Sequence, residues 1–311
     1  MKTLKPLLFI AALLTVVAPQ GFTWAATAQG DGCSKTDKEL WDQFLTDFDG
    51  TNSVGFDNFT DHGVCWGMAK FQLLASTLAR FDPNSPVPTD PKEVKKLVHD
   101  MTLGQYVYNG YISSQVTTFP GVSNVEELTN SPVYGPVIHY VIEAMWQGAF
   151  INPRNLGQVG VNSPSGNLSV IEEMEGYLSQ GIKPLLQLQF SVGNQHIVIA
   201  TEVKRNPDGS IIVVTKDNNY NTSGNPPNST KSEFKYDSTG KPIYDGDPSD
   251  PNNINGNSSY CSSKSKCGLR NPSLSDTFYR TITKALRKEC AEKEREAKEQ
   301  KKNAAPATAQ N

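Results

Sequence analysis

Three consecutive stretches of strand-like sequence, all in the second half, restrict this chain most. KPLLQLQF (Lys183 to Phe190) alternates apolar and polar residues, QHIVIATEV (Gln195 to Val203) reads as a second strand, and SIIVVTKDNN (Ser210 to Asn219) as a third. NPDG, Asn206 to Gly209, is a hairpin-type turn between the last two. The first half has the other period. Leu40, Trp41, Phe44, Leu45 and Phe48 recur at helical spacing, and so do Met68, Phe71, Leu74, Ala75 and Leu78, up to a stop at Asp82-Pro83. Residues 90 to 155 read mostly as helix, strongest in PKEVKKLVHDMTLGQYVYNGYI and YGPVIHYVIEAMWQGAF, and LSVIEEMEGYLSQG (Leu168 to Gly181) is a helix with a glycine stop. A helical half followed by an antiparallel strand-rich half is an α+β arrangement.

From Tyr220 to about Ser275 the chain is rich in Asn, Ser, Pro, Gly and Asp. One hairpin, SEFKYDSTGKPIYD, is expected within it, and the remainder of about 221–275 reads as a long surface insertion. The charged helix that begins near Thr281 and runs into a tail over 286–311 reads as a solvated face.

At the start, Lys2 and Lys5 precede LLFIAALLTVVA, an apolar run with the length of a signal-peptide core and too short to span a bilayer. Small residues at Ala26, Thr27 and Ala28 suit cleavage after Ala28, against the alternative of a retained anchor. The expected product is periplasmic or secreted, with residues 29–285 as one domain. A formal charge of −3 gives no basic face for nucleic acid, and no glycine-rich phosphate loop is present.

Five cysteines in an oxidising compartment leave one unpaired. Cys261 and Cys267 enclose five residues and suit a short staple. Cys33 and Cys290 lie near the two ends of the mature domain and could clip them together. Counting then leaves Cys65 free, within DHGVCWGMAKF at the start of a helix.

A thiol attacks a carbonyl carbon as thiolate, and its ordinary pKa of ~8.5 means that it needs help. A helix N-terminus supplies partial positive charge and unpaired N–H donors. Gly63 and Gly67 leave room for a substrate backbone. An imidazole can take the proton and return it to a leaving amine. Of the four histidines, His62 lies in the turn before the helix, and His99 and His139 sit in helices beside apolar residues. His196 opens a strand. Asp217 ends the next one, and the hairpin would bring it back to the His196 ring to hold the tautomer; an Asx turn at DNN is the alternative.

These segments resemble the papain-like cysteine peptidase superfamily. GVCWGMAKF is similar to its nucleophile helix, QHIVIATEV to its histidine strand, and TKDNN to the strand end that carries its Asn or Asp. The closer likeness is to bacterial C39-like papain-type proteins, in which G-x-C-x-G-M-A, G-x-P-x-x-L, H-x-V and D-x-N follow in order. The chain supplies GVCWGMA, GIKPLLQL, HIVIATEV and DNN, so the resemblance covers residues 55–82 and 168–220. It implies a papain-like fold, with Cys65 as nucleophile, His196 as general base and acid, and Asp217 as orienter. Where the family carries its oxyanion-hole glutamine this chain has Phe59; Asn58 is the nearest substitute, or else a plain turn asparagine.

The expected activity is peptide or amide hydrolysis through a thioester, by a monomer acting on a peptide or protein substrate. The alternatives are acyl transfer or deamidation on the same triad, and an inert binding protein on the same frame. No cofactor is expected, and no metal, since neither H-E-x-x-H nor C-x-x-C occurs and DNNYNTSG lacks the calcium-loop spacing.

Overall fold

A computed structural model describes residues 32–45, 54, 64–102, 114–151, 163–191, 194–216, 231–243, 268–270 and 276–304. The helices are α1 (Asp37–Leu45), α2 (Cys65–Leu78), α3 (Pro91–Thr102), α4 (Val125–Asn130), α5 (Gly135–Ile151), α6 (Pro164–Ser179) and α7 (Asp276–Ala304). The strands are β1 (Ala79–Asp82), β2 (Thr117–Pro120), β3 (Leu185–Ser191), β4 (Asn194–Arg205), β5 (Ile211–Lys216), β6 (Lys231–Tyr236) and β7 (Gly268–Arg270). The fold is α+β: helices lead, and a five-stranded antiparallel sheet of order β6-β5-β4-β3-β7 follows. No helix among the described residues is long and apolar enough to cross a membrane.

Helix α2 is the hub. Nearly every residue from Gly67 to Leu78 is buried, because α5, β4, α1, α3 and α7 all pack against it. A helix buried all round must be apolar all round, and GMAKFQLLASTL nearly is. Gly67 makes the closest approach: a Cβ there would overlap the carbonyl oxygen of Ile142 on α5. At the sheet, Ile199 of β4 pairs with Leu185 of β3 on one side and Lys216 of β5 on the other. β4 is therefore the middle strand, and its Ile197, Val198, Ile199 and Ala200 are buried.

The chain ends meet. Trp41 of α1 is fully buried and donates its indole N–H to Thr283 Oγ1 of α7 (3.0 Å). Arg287 binds Asp37 (2.7 Å), and Glu294 accepts from the backbone N–H of Ser34 (2.8 Å). A disulfide joins Cys33 to Cys290, 257 positions apart, as the spacing of the cysteines suggests. Tyr279, one turn into α7, takes the N–H of Leu185 on its hydroxyl (2.8 Å), which ties the same helix to the sheet.

Several elements depart from the sequence reading. The helix expected to run to Asp82 stops at Leu78; Ala79–Asp82 forms β1, parallel to Thr117–Pro120. That pairing is non-local, and no window of sequence around either four-residue strand shows it. The stop at Asp82-Pro83 is nonetheless a real turn, with the Asp82 carboxylate accepting from Asn84 N (3.2 Å) and Ser85 Oγ (2.5 Å). β2 likewise interrupts the stretch read as mostly helix. The hairpin expected at SEFKYDSTGKPIYD is present, its first strand forming edge strand β6 and Pro242 bridging back to Tyr236, whereas the other edge strand, β7, comes from the remainder read as a surface insertion. In the charged C-terminal helix, Phe278, Tyr279, Ile282 and Leu286 are core residues, with Arg280 and Lys284 exposed on the opposite side and the fully solvated part beyond them. The signal-like segment, Cys261 and Cys267 lie outside the described residues.

Candidate active site

Cys65 is the first residue of α2. Val64 before it is buried, and its backbone (φ −111°, ψ 25°) forms the N-cap with no side-chain hydrogen bond to the first turn. A helix begun in this way leaves its first N–H groups to neighbours or ligands. Cys65 is partly exposed and is the free cysteine among the described residues. Trp66 packs partly buried against the core, as a structural residue would.

His196 lies 3% exposed near the start of β4, opposite Leu188 of β3. Middle strand and hub helix pack together, and this contact joins the two side chains: Cys65 and His196 share a hydrogen bond. Burial pushes the Cys65 thiol up. The hydrogen bond and charge of His196 outweigh it, helped by the backbone N–H groups of Ile197 and Trp66, and the net shift is downward. The surroundings of the sulfur therefore favour its anion more than burial alone would: an imidazole from the sheet faces it, and one backbone donor comes from each of the two elements. That is the electrostatic environment of a reactive cysteine rather than an inert buried one.

Of the other candidate residues, Asn58, Asp217 and His62 lie outside the described residues. His99 on α3 and His139 on α5 are half-buried, their pKa values lowered by burial first, and they sit on helices away from the β4 strand that carries His196. One group of described residues, Cys33, Cys290 and Glu294, has metal-ligand spacing. Its two sulfurs are bonded to each other, which leaves a lone carboxylate and no centre.

Sequence reasoning expected N–H donors at the helix start, as Trp66 provides, but missed the one from Ile197 on β4, which has no side-chain signature. It also missed Gln72, fully buried on α2. The Gln72 Oε1 accepts the N–H of Val54 (2.7 Å) while its Nε2 donates to Ser76 Oγ (2.7 Å). A polar pair, Lys70 and Gln72, inside the otherwise apolar GMAKFQLLA was the available signal. No family model, curated protein or solved structure matches this chain.

Proposed function

We propose that this protein is an exported cysteine peptidase of papain-like type, hydrolysing peptide or amide bonds through a thioester. One observation carries the reading: a free cysteine at an uncapped helix start shares a hydrogen bond with a buried histidine 131 residues later in sequence, and its thiol is lowered against burial. In this mechanism the Cys65 thiolate adds to the carbonyl carbon, and the imidazolium of His196 gives its proton to the leaving amine. Water, deprotonated by His196, then breaks the thioester and regenerates the thiol. The Trp66 N–H at the helix start offers one donor to charge that develops beside the sulfur. Asp217, the residue after Lys216 at the end of β5, is assigned to hold the imidazole, and Asn58 to donate to the oxyanion. The Cys33–Cys290 disulfide supports export to an oxidising compartment.

The test is alkylation of the purified, unreduced protein with iodoacetamide or an epoxide at neutral pH, with peptide mapping, beside hydrolysis of an unstructured protein substrate. Rapid labelling of Cys65 is expected, together with hydrolysis that is lost in Cys65→Ala. In His196→Ala the labelling should slow and its pH profile should move upward, because the partner that lowers the thiol is gone. Labelling of Cys65 at the rate of an ordinary thiol, unchanged in His196→Ala, refutes the reading.

A further inference from the structure

Where the two ends of the chain meet, they bring together donor atoms that the proposed reaction leaves unused. Cys290 and Glu294 stand one turn apart on α7, at the spacing that puts side chains on one face of a helix, and Cys33 precedes α1. The two sulfurs and a carboxylate oxygen of Glu294 all lie within 4.8 Å of one another. While the sulfurs are bonded to each other the set holds nothing. As thiolates they are two soft ligands beside a carboxylate, in reach of a single ion. The 257 positions between the cysteines are why no local motif shows the set.

Two features keep the set together without the bond between the sulfurs. The ends are docked by contacts that involve no sulfur, Trp41 to Thr283 and Arg287 to Asp37. The carboxylate is also oriented already. Ser34, next to Cys33, donates its backbone N–H (2.8 Å) and its hydroxyl (2.5 Å) to Oε1 of Glu294, and Cys290 Sγ lies 3.7 Å from the same oxygen. Carboxylates that bind metals are held by outer hydrogen bonds of this kind. Paired thiolates select zinc over the hard cations magnesium and calcium. Zinc also accepts a carboxylate oxygen, and in a tetrahedral site with three protein ligands it keeps water in the fourth position.

We propose that Cys33, Cys290 and Glu294 bind a zinc ion when the protein is reduced, so that the ion replaces the disulfide as the clip between the two ends of the chain. A dithiol reductant supplies two electrons and two protons to the S–S bond, leaving two thiols, and itself closes to a disulfide. The zinc ion then displaces one proton from each thiol to solvent. The site is separate from Cys65 and holds whether or not the protein is a peptidase.

The full chain would be reduced with dithiothreitol, freed of it under nitrogen, and titrated with zinc against a chromogenic chelator, beside Cys33→Ser/Cys290→Ser treated alike. The wild type should bind ~1 zinc ion more than the double variant, a difference that cancels any binding by the other three cysteines. Cobalt in place of zinc should give a thiolate charge-transfer absorption that is stronger in the wild type. Zinc should raise the melting temperature of the reduced wild type by about 3 °C at ten times the dissociation constant. Glu294→Gln should weaken the binding by at least ~10-fold. If the double variant does not fold, the wild type alone supplies the second measurement: zinc should protect Cys33 and Cys290 of the reduced protein from N-ethylmaleimide, read by peptide mapping. Equal zinc uptake by wild type and double variant overturns the proposal. So does alkylation of the two cysteines at the same rate with and without zinc, or an affinity unchanged in Glu294→Gln.

Discussion

Replacing Gly67 by alanine tests whether α2 is held against α5 as tightly as the backbone geometry requires. A Cβ at Gly67 would overlap the Ile142 carbonyl oxygen, lie 2.9 Å from its carbonyl carbon and 3.1 Å from its Cγ2. Carbon atoms rest at ~3.5 Å or more, so the carbonyl carbon alone demands about 0.6 Å of retreat, and the oxygen demands more. The obstacle is helix backbone, which cannot rotate away as a side chain can. Overpacking of this kind costs about 1–3 kcal/mol, and backbone contact puts Gly67→Ala at the upper end. The gain in helix propensity, about 1 kcal/mol, offsets part of it. A net loss of about 2 kcal/mol is expected by urea denaturation. Gly176 on α6 is the matched control: it is a helical glycine whose Cβ would meet nothing within 4 Å. There the same substitution should stabilise by about 0.5–1 kcal/mol. Equal effects at the two sites, or a Gly67→Ala variant as stable as wild type, would refute the close crossing.

Two further outcomes concern the closure of the chain. Opening the Cys33–Cys290 link by Cys290→Ser releases a loop of 257 positions, for which chain entropy sets a loss of up to about 5.5 kcal/mol; measured losses usually run at about 2–5. A shift in the urea midpoint equivalent to less than about 1 kcal/mol would mean that the ends stay docked without it. Burial pushes the Glu289 carboxyl up, but Arg80 (2.6 Å) and Lys293 (2.8 Å) hold it below its ordinary value. A carboxylate with a lowered folded pKa adds stability above its unfolded pKa, and that contribution fades as pH falls through the folded value. Arg80→Met should therefore flatten the acid limb of the stability–pH curve below about pH 5; an unchanged limb refutes the assignment.

Much of this architecture was legible because it is local. Hydrophobic period identified α2, α5 and the three central strands, and NPDG identified the hairpin, whose Asn206 and Gly209 close the turn (3.0 Å). Cysteine counting named the Cys33–Cys290 pair, and strand order put His196 on the strand that packs on α2. What escaped is non-local. β1 and β2 are four residues each and gain their identity only from each other. β7 is three residues in a polar segment, fixed by Gln187, Leu188 and Gln189 far upstream and by Asn167, whose side chain accepts the N–H of Leu269 (2.8 Å). Trp41 and Thr283 likewise declare nothing separately; their bond exists because α1 and α7 are neighbours.

The link between Cys33 and Cys290 also has a consequence for the order of events during synthesis. On the proposed export to an oxidising compartment, the chain would emerge from its N-terminus, and Cys65 is the first cysteine after Cys33. The correct partner, Cys290, is the last of the five. Until it arrives, the nearest partner for Cys33 is the residue that the proposed reaction needs reduced, and β4, which brings His196 to that thiol, does not yet exist. On that reading, oxidative folding would begin with a bias toward a Cys33–Cys65 trap. Its maturation rate should then respond strongly to a disulfide isomerase.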